Sequence, residues 1–219
     1  MKYAFFDFCG TITKNQTADR FVEYVINKSD FKNTNQIYIK LILKLYNIKF
    51  IYKVLNKIYN VNIHKKKLIL SKLKGIRKDI IDDISVDYYN ELKNEFNDII
   101  IEKIKNHSKT HKIVLISAGY EPYIKHFVNE YKIPMLFTNE FKYDGCLFLG
   151  KIKGDDVYGL NKVNVIKKNI FDYDYENSFS YSDCFSDLPI LKFSKNGFVI
   201  SEFYDDWIKK NQLNWIQNV

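Results

Sequence analysis

An apolar run that ends in an acid opens this chain and constrains its fold more than any other feature. Residues 2–7 form an apolar and aromatic run without alternation, which is typical of a central strand buried on both faces. Further strand patterns follow at residues 112–119, 134–137, 178–182 and 197–201. Helical patterns separate them, at about residues 121–131, at about 160–170 and, for one short helix, directly after Asp187. Strands that alternate with helices indicate an α/β fold with a parallel sheet.

A turn signal and an inserted segment complete the predicted organisation. Asp144-Gly145 stands between two apolar runs within residues 139–150, which predicts a small β-hairpin. Between about residues 14 and 108 the strand patterns disappear and Pro is absent. Helical spacing dominates there and predicts one apolar face formed by Leu92, Phe96, Ile99 and Ile104. We therefore predict an all-helical module over residues 14–108, inserted into a core domain of residues 1–13 and 109–219.

Residues 37–61 of the insert mix bulky apolar residues with lysines, a composition that also occurs in helices lying on membrane surfaces. At 100° per residue, Lys40 and Lys44 lie near one side of a continuous helix, and Lys49, Lys53 and Lys57 lie near the other. One helix would therefore lack a clean apolar face, whereas two helices broken near Asn47 would each have one. The segment favours a helical hairpin with solvated lysines over a membrane-bound helix.

Charge and cysteine content limit which partners and which cellular location the protein can have. The formal net charge is +8, but the chain contains only two arginines, Arg20 and Arg77, and proteins that read nucleic-acid bases rely on arginine. We expect no nucleic-acid partner. The three cysteines form no CxxC pair, no uncharged apolar run reaches the roughly 18 residues of a membrane span, and no signal-peptide pattern is present. These features predict a cytoplasmic protein with reduced thiols, and they leave its oligomeric state open.

Polar residues follow three of the predicted strands directly. Asp7 follows the first strand, Ser117 follows "IVLI" and Asp183 follows "SFSYS", with Asp187 four residues later. In an open parallel sheet, ligands bind beyond the carboxyl ends of the strands, where the strand order reverses. These side chains are therefore predicted to share one crevice, which Lys162 could reach from the start of a helix.

The chemistry of this set points to phosphoryl transfer. Neighbouring carboxylates repel unless a cation lies between them, and hard oxygen ligands suit Mg²⁺. A hydroxyl, an ammonium and the loop N–H groups after Gly10 and Gly119 suit a phosphate. One carboxylate could then attack phosphorus and form an aspartyl-phosphate. Each residue also has an ordinary structural explanation: the acids and Ser117 as helix or turn caps, and Lys162 as a solvated lysine.

Four motifs in this order resemble the haloacid dehalogenase (HAD) superfamily, in particular its phosphoserine-phosphatase-like branch with a helical cap. The motifs are "DFCGT", "LISAG", "YGLNKV" and "YSDCFSDLPIL", and the resemblance covers nearly the whole chain. It implies a Rossmann-like three-layer α/β core with a mainly parallel sheet, the helical cap and the small hairpin. It also implies Asp7 as the nucleophile, Ser117 as a phosphate ligand and Lys162 as the residue that orients both.

The resemblance extends to metal and substrate ligands. It implies Mg²⁺ bound by Asp7, Asp183 and the backbone carbonyl of Cys9, with Asp187 acting through metal-bound water. For the substrate, the predicted contacts are Thr11 in the first motif and Ser117, Ala118 and Gly119 in the second. Gln16, Thr17 and Arg20 would face the crevice if the first cap helix starts there.

Cys9 departs from the family pattern. Most phosphatases that the first motif resembles carry a second Asp here, which protonates the leaving alcohol and then activates water. A thiol with an ordinary pKa near 8.5 could donate a proton but is a poorer base for water. Acid–base catalysis, typically worth about 10²–10⁴-fold, is the function in question. Cys9 could equally be a small buried residue that only packs.

The sequence therefore predicts Mg²⁺-dependent hydrolysis of a small phosphomonoester, a phosphorylated metabolite, through phospho-Asp7. Two alternatives follow from Cys9: a phosphotransferase, or a weakly active phosphate-binding or regulatory protein. Gln16 stands where the phosphoserine phosphatases that the fold resembles place a Glu that holds the substrate ammonium. We therefore expect a substrate other than phosphoserine.

Overall fold

The computed structural model describes residues 1–29, 44 and 61–218, with the backbone alone for residues 61–64. The chain divides into two compact units. The first unit comprises Met1–Ala18, Tyr89–Glu140 and Gly154–Val219, and the second comprises Asp19–Tyr88 and Phe141–Lys153. A helical hairpin was predicted for residues 37–61. Of these, only residues 44 and 61 are among the described residues, so the prediction is not tested.

Six parallel strands form the sheet of the first unit within the described part of the chain, in the order β3-β2-β1-β6-β7-β8. Their bounds are β1 Tyr3–Phe6, β2 Lys112–Tyr120, β3 Met135–Asn139, β6 Phe179–Ser182, β7 Asn196–Ser201 and β8 Asn214–Gln217. The order reverses around β1, which pairs with β2 on one side and with β6 on the other. The carboxyl end of β1 is thus the position at which an open α/β sheet binds its ligands.

The remaining elements are helices, which occur in both units, and one antiparallel hairpin, which belongs to the second unit. The hairpin pairs β4 Phe141–Asp144 with β5 Leu147–Ile152. Numbered in chain order among the described residues, the helices are α1 Ala18–Lys28, α2 Val61–Ser71, α3 Lys78–Leu92, α4 Asp98–His107, α5 Glu121–Glu130, α6 Leu160–Asn169, α7 Leu188–Leu191 and α8 Asp206–Lys210. None of these helices is long and apolar enough to cross a membrane.

The strand β1 is buried on both sides, as its unbroken apolar sequence predicts. Phe5 belongs to a buried cluster with Val163 and Ile166 of α6. The next residue, Phe6, stacks on Tyr181 and meets His107 of α4 at an edge, because successive side chains of a strand point to opposite faces. Helices therefore cover both faces of the sheet. The predicted α/β fold with a mainly parallel sheet and a small hairpin is confirmed.

The predicted apolar face of Leu92, Phe96, Ile99 and Ile104 is wrong, because these residues do not share one helix. Leu92 ends α3, Phe96 has an extended backbone, and Ile99 is exposed. The break arises at Asn97, whose side-chain oxygen accepts a hydrogen bond from Ile99 N at 3.1 Å. This cap starts a new helix at Asp98, and the side chains that α4 buries are Ile100, Ile101 and Ile104.

The division into units also differs from the predicted domain boundaries. Residues 89–108, predicted to be part of the helical insert, belong to the first unit, and the hairpin belongs to the second. The C-terminal helix α8 and strand β8 had no sequence-based prediction. Only Trp215 and Ile216 are apolar in β8, and so short a run at a sheet edge leaves no strand pattern to detect.

Candidate active site

Three adjacent strands bring the predicted residues to one edge of the sheet. Asp7 directly follows β1, and its backbone N donates to the carbonyl of Tyr181 in β6 at 3.0 Å. Asp183 directly follows β6. Ser117 lies within β2 rather than after it, at the point where the β2–β3 register shifts between Ile116 and Tyr120. All three side chains stand at the carboxyl end of the central strands.

Lys162 joins two of the acids in the interior of the first unit. Its Nζ lies 2.8 Å from Asp7 Oδ1 and 2.6 Å from Asp187 Oδ2. Its side chain is only 2% exposed, so it is not the solvated lysine that the sequence left open. Burial alone lowers the pKa of the Lys162 ammonium, but the charges of Asp7 and Asp187 outweigh burial and raise that pKa above its ordinary value. Lys162 is therefore a permanent cation between two carboxylates.

Asp187 is held from a second direction. The hydroxyl of Ser182, the last residue of β6, donates to Asp187 Oδ2 at 2.5 Å. Asp187 ends the short 3₁₀ turn Phe185–Asp187 and is buried. Both of its hydrogen bonds end on Oδ2, which orients the carboxylate within the cluster.

The negative charges of Asp7 and Asp183 are not fully neutralised by the described residues around them. Burial raises the pKa of Asp7 to about 6, against the opposing effect of the Lys162 ammonium. Burial, followed by the charges of Asp7 and Asp187, raises the pKa of Asp183 to about 7. Asp183 Oδ1 is enclosed by protein and has no hydrogen-bond partner among the described residues. A cation near Asp7 and Asp183 would relieve both effects.

The donor set fits a hard divalent cation such as Mg²⁺. Asp7 and Asp183 offer carboxylate oxygens, which are ligands that suit Mg²⁺, and the Cys9 carbonyl stays a predicted third ligand. Burial raises the pKa of the nearby Cys184 thiol to about 12, so this sulfur is protonated and is no ligand for Mg²⁺. The unpartnered Asp183 Oδ1 is the feature that most directly indicates such a cation.

Gly10 makes the close approach of Asp183 to the first loop feasible. Its φ is +77°, and a Cβ at this position would collide with the Asp183 carboxylate. The side chain of Gln16 lies beside the same acid, where its Nε2 donates to Asp183 Oδ2 at 3.3 Å. A larger residue at position 10 would therefore be strained in its backbone and would displace Asp183.

Cys9 takes part in a buried chain of hydroxyl groups. Its Sγ lies 2.8 Å from Thr17 Oγ1, and Thr17 Oγ1 lies 2.8 Å from the hydroxyl of Tyr123. The Tyr123 hydroxyl also accepts from Tyr120 N at 3.3 Å. Burial, and next the charge of Asp7, raises the pKa of the Cys9 thiol above its ordinary value. Cys9 is thus a neutral thiol, and sequence reasoning missed Tyr123 because nothing in its local pattern marks it.

The predicted phosphate ligands are only partly free in the structure. Ser117 Oγ is buried, accepts from Gly119 N at 3.1 Å and lies 3.8 Å from Cys9 Sγ. Thr11 N points to the carbonyl of Phe8 at 3.4 Å and Tyr120 N donates to the Tyr123 hydroxyl at 3.3 Å, so both predicted loop N–H groups already have partners. By contrast, Thr11 Oγ1 is buried without a partner in the described part of the chain.

Ala118 and Arg20, the two remaining predicted substrate contacts, lie in different parts of the structure. Ala118 is half-buried, and its carbonyl accepts from Asn139 Nδ2 at 2.9 Å. Arg20 lies on α1 in the second unit, and its side chain is exposed. Its role toward a substrate stays a prediction.

Comparisons with known proteins place the chain in a family. Residues 4–192 match the family described as haloacid dehalogenase-like hydrolase. A comparison with curated protein sequences finds no match.

Solved structures share the fold at low sequence identity. A protein of unknown function from Bordetella pertussis Tohama I is 11% identical, with a TM-score of 0.75 and 99% of each chain covered. A phosphoserine phosphohydrolase-like protein from Francisella tularensis is 20% identical, with a TM-score of 0.64, and the alignment covers 100% of this chain and 96% of that one. A phosphoserine phosphatase structure described as a phospho-aspartyl intermediate analogue is 14% identical, with a TM-score of 0.63 and coverage of 99% and 93%.

Proposed function

The chain belongs to the haloacid dehalogenase-like hydrolase family, and on this basis we propose that it hydrolyses a small phosphomonoester through a phosphorylated Asp7. The observation that carries the proposal is the buried contact of Lys162 with Asp7 and Asp187 at the carboxyl end of β1. Asp183, a second acid, lies close enough to Asp7 for the charge of Asp7 to raise its pKa. Phosphoryl transfer needs this combination of nucleophile and fixed positive charge.

In the first half of the reaction, a carboxylate oxygen of Asp7 attacks phosphorus and the bond between phosphorus and the ester oxygen breaks. Lys162 holds Asp7 by its Oδ1 at 2.8 Å, which fixes the direction of the other oxygen. Ser117 Oγ and Thr11 Oγ1 are the hydroxyls available to the phosphoryl oxygens. In the second half, water attacks phosphorus, phosphate leaves and the carboxylate of Asp7 is restored.

A Mg²⁺ ion bound by Asp7, Asp183 and the Cys9 carbonyl would neutralise phosphoryl charge. The family relationship and the unpartnered Asp183 oxygen support this cofactor. Asp187 would hold Lys162 in place and contact the ion through water.

Proton transfer to the leaving oxygen falls to Cys9 in this proposal. The neutral thiol can donate a proton, and the hydroxyl of Thr17 lies at hydrogen-bond distance from its sulfur. Donation leaves a thiolate, and because burial and the charge of Asp7 raise the pKa of this thiol, the thiolate takes a proton back from solvent. The neutral thiol that results is a weak acceptor for the proton of the attacking water. The second half of the reaction is therefore expected to be the slow one.

The substrate proposed is a small phosphorylated metabolite other than phosphoserine. Gln16 carries no charge, and its amide nitrogen already donates to Asp183. A substrate ammonium has no carboxylate at this position to receive it. The phosphoserine phosphatases named above share the fold, and their substrate is not carried over to this chain.

The test is phosphate release from an aryl phosphate and from a panel of small phosphomonoesters, with and without Mg²⁺. The wild type is compared with Asp7→Asn and with Asp155→Asn, a control at an exposed position. We expect Mg²⁺-dependent release that Asp7→Asn lowers by on the order of 10³-fold or more, while the control stays unchanged. Equal release by wild type and Asp7→Asn would refute Asp7 as the nucleophile.

A phosphotransferase is the second candidate, and the neutral Cys9 thiol is the observation that favours it. A phospho-Asp7 that water attacks slowly would persist long enough to pass its phosphoryl group to an alcohol. The same assay with an added alcohol acceptor distinguishes the two functions, because a transferase forms the new ester faster than it releases phosphate. If folded protein binds Mg²⁺ but neither product forms, a phosphate-binding or regulatory role replaces both.

A further inference from the structure

The loop after β6 places a thiol beside two carboxylates. One ligand atom from each of Asp183, Cys184 and Asp187 lies within 4.8 Å of the other two. Cys184 is half-buried, and its Sγ lies 3.0 Å from Ser186 Oγ. Metal–ligand bonds of about 2.0–2.3 Å would draw three such atoms around a single ion with small side-chain movements.

The two carboxylates each keep an oxygen for a cation. Asp187 uses only Oδ2 for Lys162 and Ser182, which leaves Oδ1. Asp183 accepts from Gln16 on Oδ2, and its Oδ1 is enclosed without a partner among the described residues. The cluster thus contains one buried acceptor, Asp183 Oδ1, without a partner in the described part of the chain, as well as a suitable spacing.

The sulfur changes which cations the cluster prefers. Mg²⁺ selects oxygen ligands, whereas Zn²⁺ and Cd²⁺ bind thiolates strongly. We propose that Asp183, Cys184 and Asp187 form a site for a thiophilic divalent cation, which competes with Mg²⁺ and inhibits turnover. On binding, the S–H bond breaks, a sulfur–metal bond forms and the proton passes to water. The competition rests on the proposed function, but binding of the thiophilic ion does not.

Cd²⁺ alone, added to the full chain without substrate or Mg²⁺, tests the binding. A thiolate bound to Cd²⁺ produces an ultraviolet charge-transfer band, which carboxylate ligation does not. We expect one equivalent of Cd²⁺ to saturate this band in the wild type and Cys184→Ser to lose it. The matched controls are Cys9→Ser and Cys146→Ser, which remove the other two cysteines and should keep the band.

The outcomes separate the alternatives. A band that persists in Cys184→Ser, or that disappears in Cys146→Ser, would overturn the proposal, because the sulfur ligand would then lie elsewhere. Unchanged thermal unfolding of Cys184→Ser without metal would show that loss of the band is not a loss of folding. Asp183→Asn should weaken Cd²⁺ binding, and unchanged affinity would remove Asp183 from the site.

An inhibition assay then links binding to turnover. Cd²⁺ should inhibit Mg²⁺-supported phosphate release in the wild type, and Cys184→Ser should resist this inhibition. Equal inhibition of both proteins would contradict competition through sulfur. If no phosphoester is hydrolysed at all, the proposed function fails while the spectroscopic test of the cation site still gives its answer.

Discussion

The two sides of the candidate site around Asp7 differ in kind. On one side is a charged cluster of Asp7, Lys162, Asp183 and Asp187, in which buried ion pairs join Lys162 to Asp7 and to Asp187. On the other, the neutral chain of Cys9, Thr17 and Tyr123 is joined by hydrogen bonds among thiol and hydroxyl groups. In the proposed function the charged cluster carries out phosphoryl transfer, whereas the neutral chain contains Cys9, to which we assign proton transfer.

The difference indicates how each side should respond to substitution. A buried charge depends strongly on its partners, because an uncompensated charge in the interior is costly. A neutral hydrogen bond contributes about 0.5–1.5 kcal/mol net. Substitutions in the charged cluster should therefore have larger effects than those in the neutral chain, except where a substitution introduces a new charge.

Lys162→Met should have the largest effect. It removes the cation that Asp7 and Asp187 share, so about 3–5 kcal/mol of unfolding free energy should be lost in metal-free protein. Turnover should fall by on the order of 10³-fold, because Asp7 is no longer oriented. Denaturant unfolding and aryl phosphate hydrolysis measure the two effects.

Lys168→Met is the matched control, since Lys168 lies on the same helix and is exposed. It should change neither quantity. A fully active and stable Lys162→Met protein would show that the charged cluster is only a packing feature.

Cys9→Asp should have the next largest effect by converting the neutral chain into a charged one. If the thiol limits proton transfer, hydrolysis of alkyl phosphates should rise by about 10²-fold, the lower end of what acid–base catalysis typically contributes. Aryl phosphates should gain less, because their leaving groups need little protonation. Steady-state rates on both ester types provide the measurement.

The control for added charge is Cys146→Asp, at an exposed cysteine. Unchanged or reduced rates on both esters in Cys9→Asp would mean that Cys9 has its own role. In that case the neutral thiol of Cys9 would not be the cause of the slow hydrolysis that we expect.

Asp183→Asn should have a smaller effect that depends on pH and metal. The pKa of Asp183 is raised to about 7, so its neutral form favours the folded state and its ionisation destabilises that state. In chelator, the wild type should lose stability relative to Asp183→Asn as the pH rises from about 4 to about 7, by a few degrees in Tm. With saturating Mg²⁺ at pH 7, the wild type should instead have the higher Tm of the two proteins.

Thermal melts across this pH range, with Asp155→Asn as an exposed control, check the prediction. A stability difference that does not vary with pH would mean that Asp183 does not carry the excess charge. If the stability difference does not change when Mg²⁺ is added, the cation does not bind at the charged cluster.

Thr17→Val should have the smallest effect on catalysis. Val keeps the shape but removes the hydroxyl between Cys9 and Tyr123, at a cost of about 1–3 kcal/mol in unfolding free energy. Alkyl phosphate turnover should fall by less than about tenfold, and aryl phosphate turnover should fall less still. Thr110→Val, at an exposed position, is the control. A loss as large as that of Lys162→Met would abolish the distinction between the two sides.

The sequence by itself determined the strands of the core and the residues at their ends. Strands buried on both faces are largely apolar, so β1, β2 and the middle of β7 were visible as runs. The strand β6 was predicted from the short segment "SFSYS", in which Phe and Tyr alternate with Ser. Asp7 and Asp183 could be placed because they follow such runs directly. The four motifs in order identified Lys162 and Asp187 as candidates, although their spacing does not show which atoms they contact.

Only the tertiary structure decided the contacts within the site. Lys162 and Asp7 stand 155 residues apart, and Thr17 and Tyr123 stand 106 apart, so no local pattern encodes either pair. The end of α3 and the start of α4 likewise depended on one cap at Asn97, which a continuous helical pattern conceals. Periodicity reports which face of an element is buried, whereas the pairing of polar side chains depends on how distant elements pack, and that pairing distinguishes the charged cluster from the neutral chain.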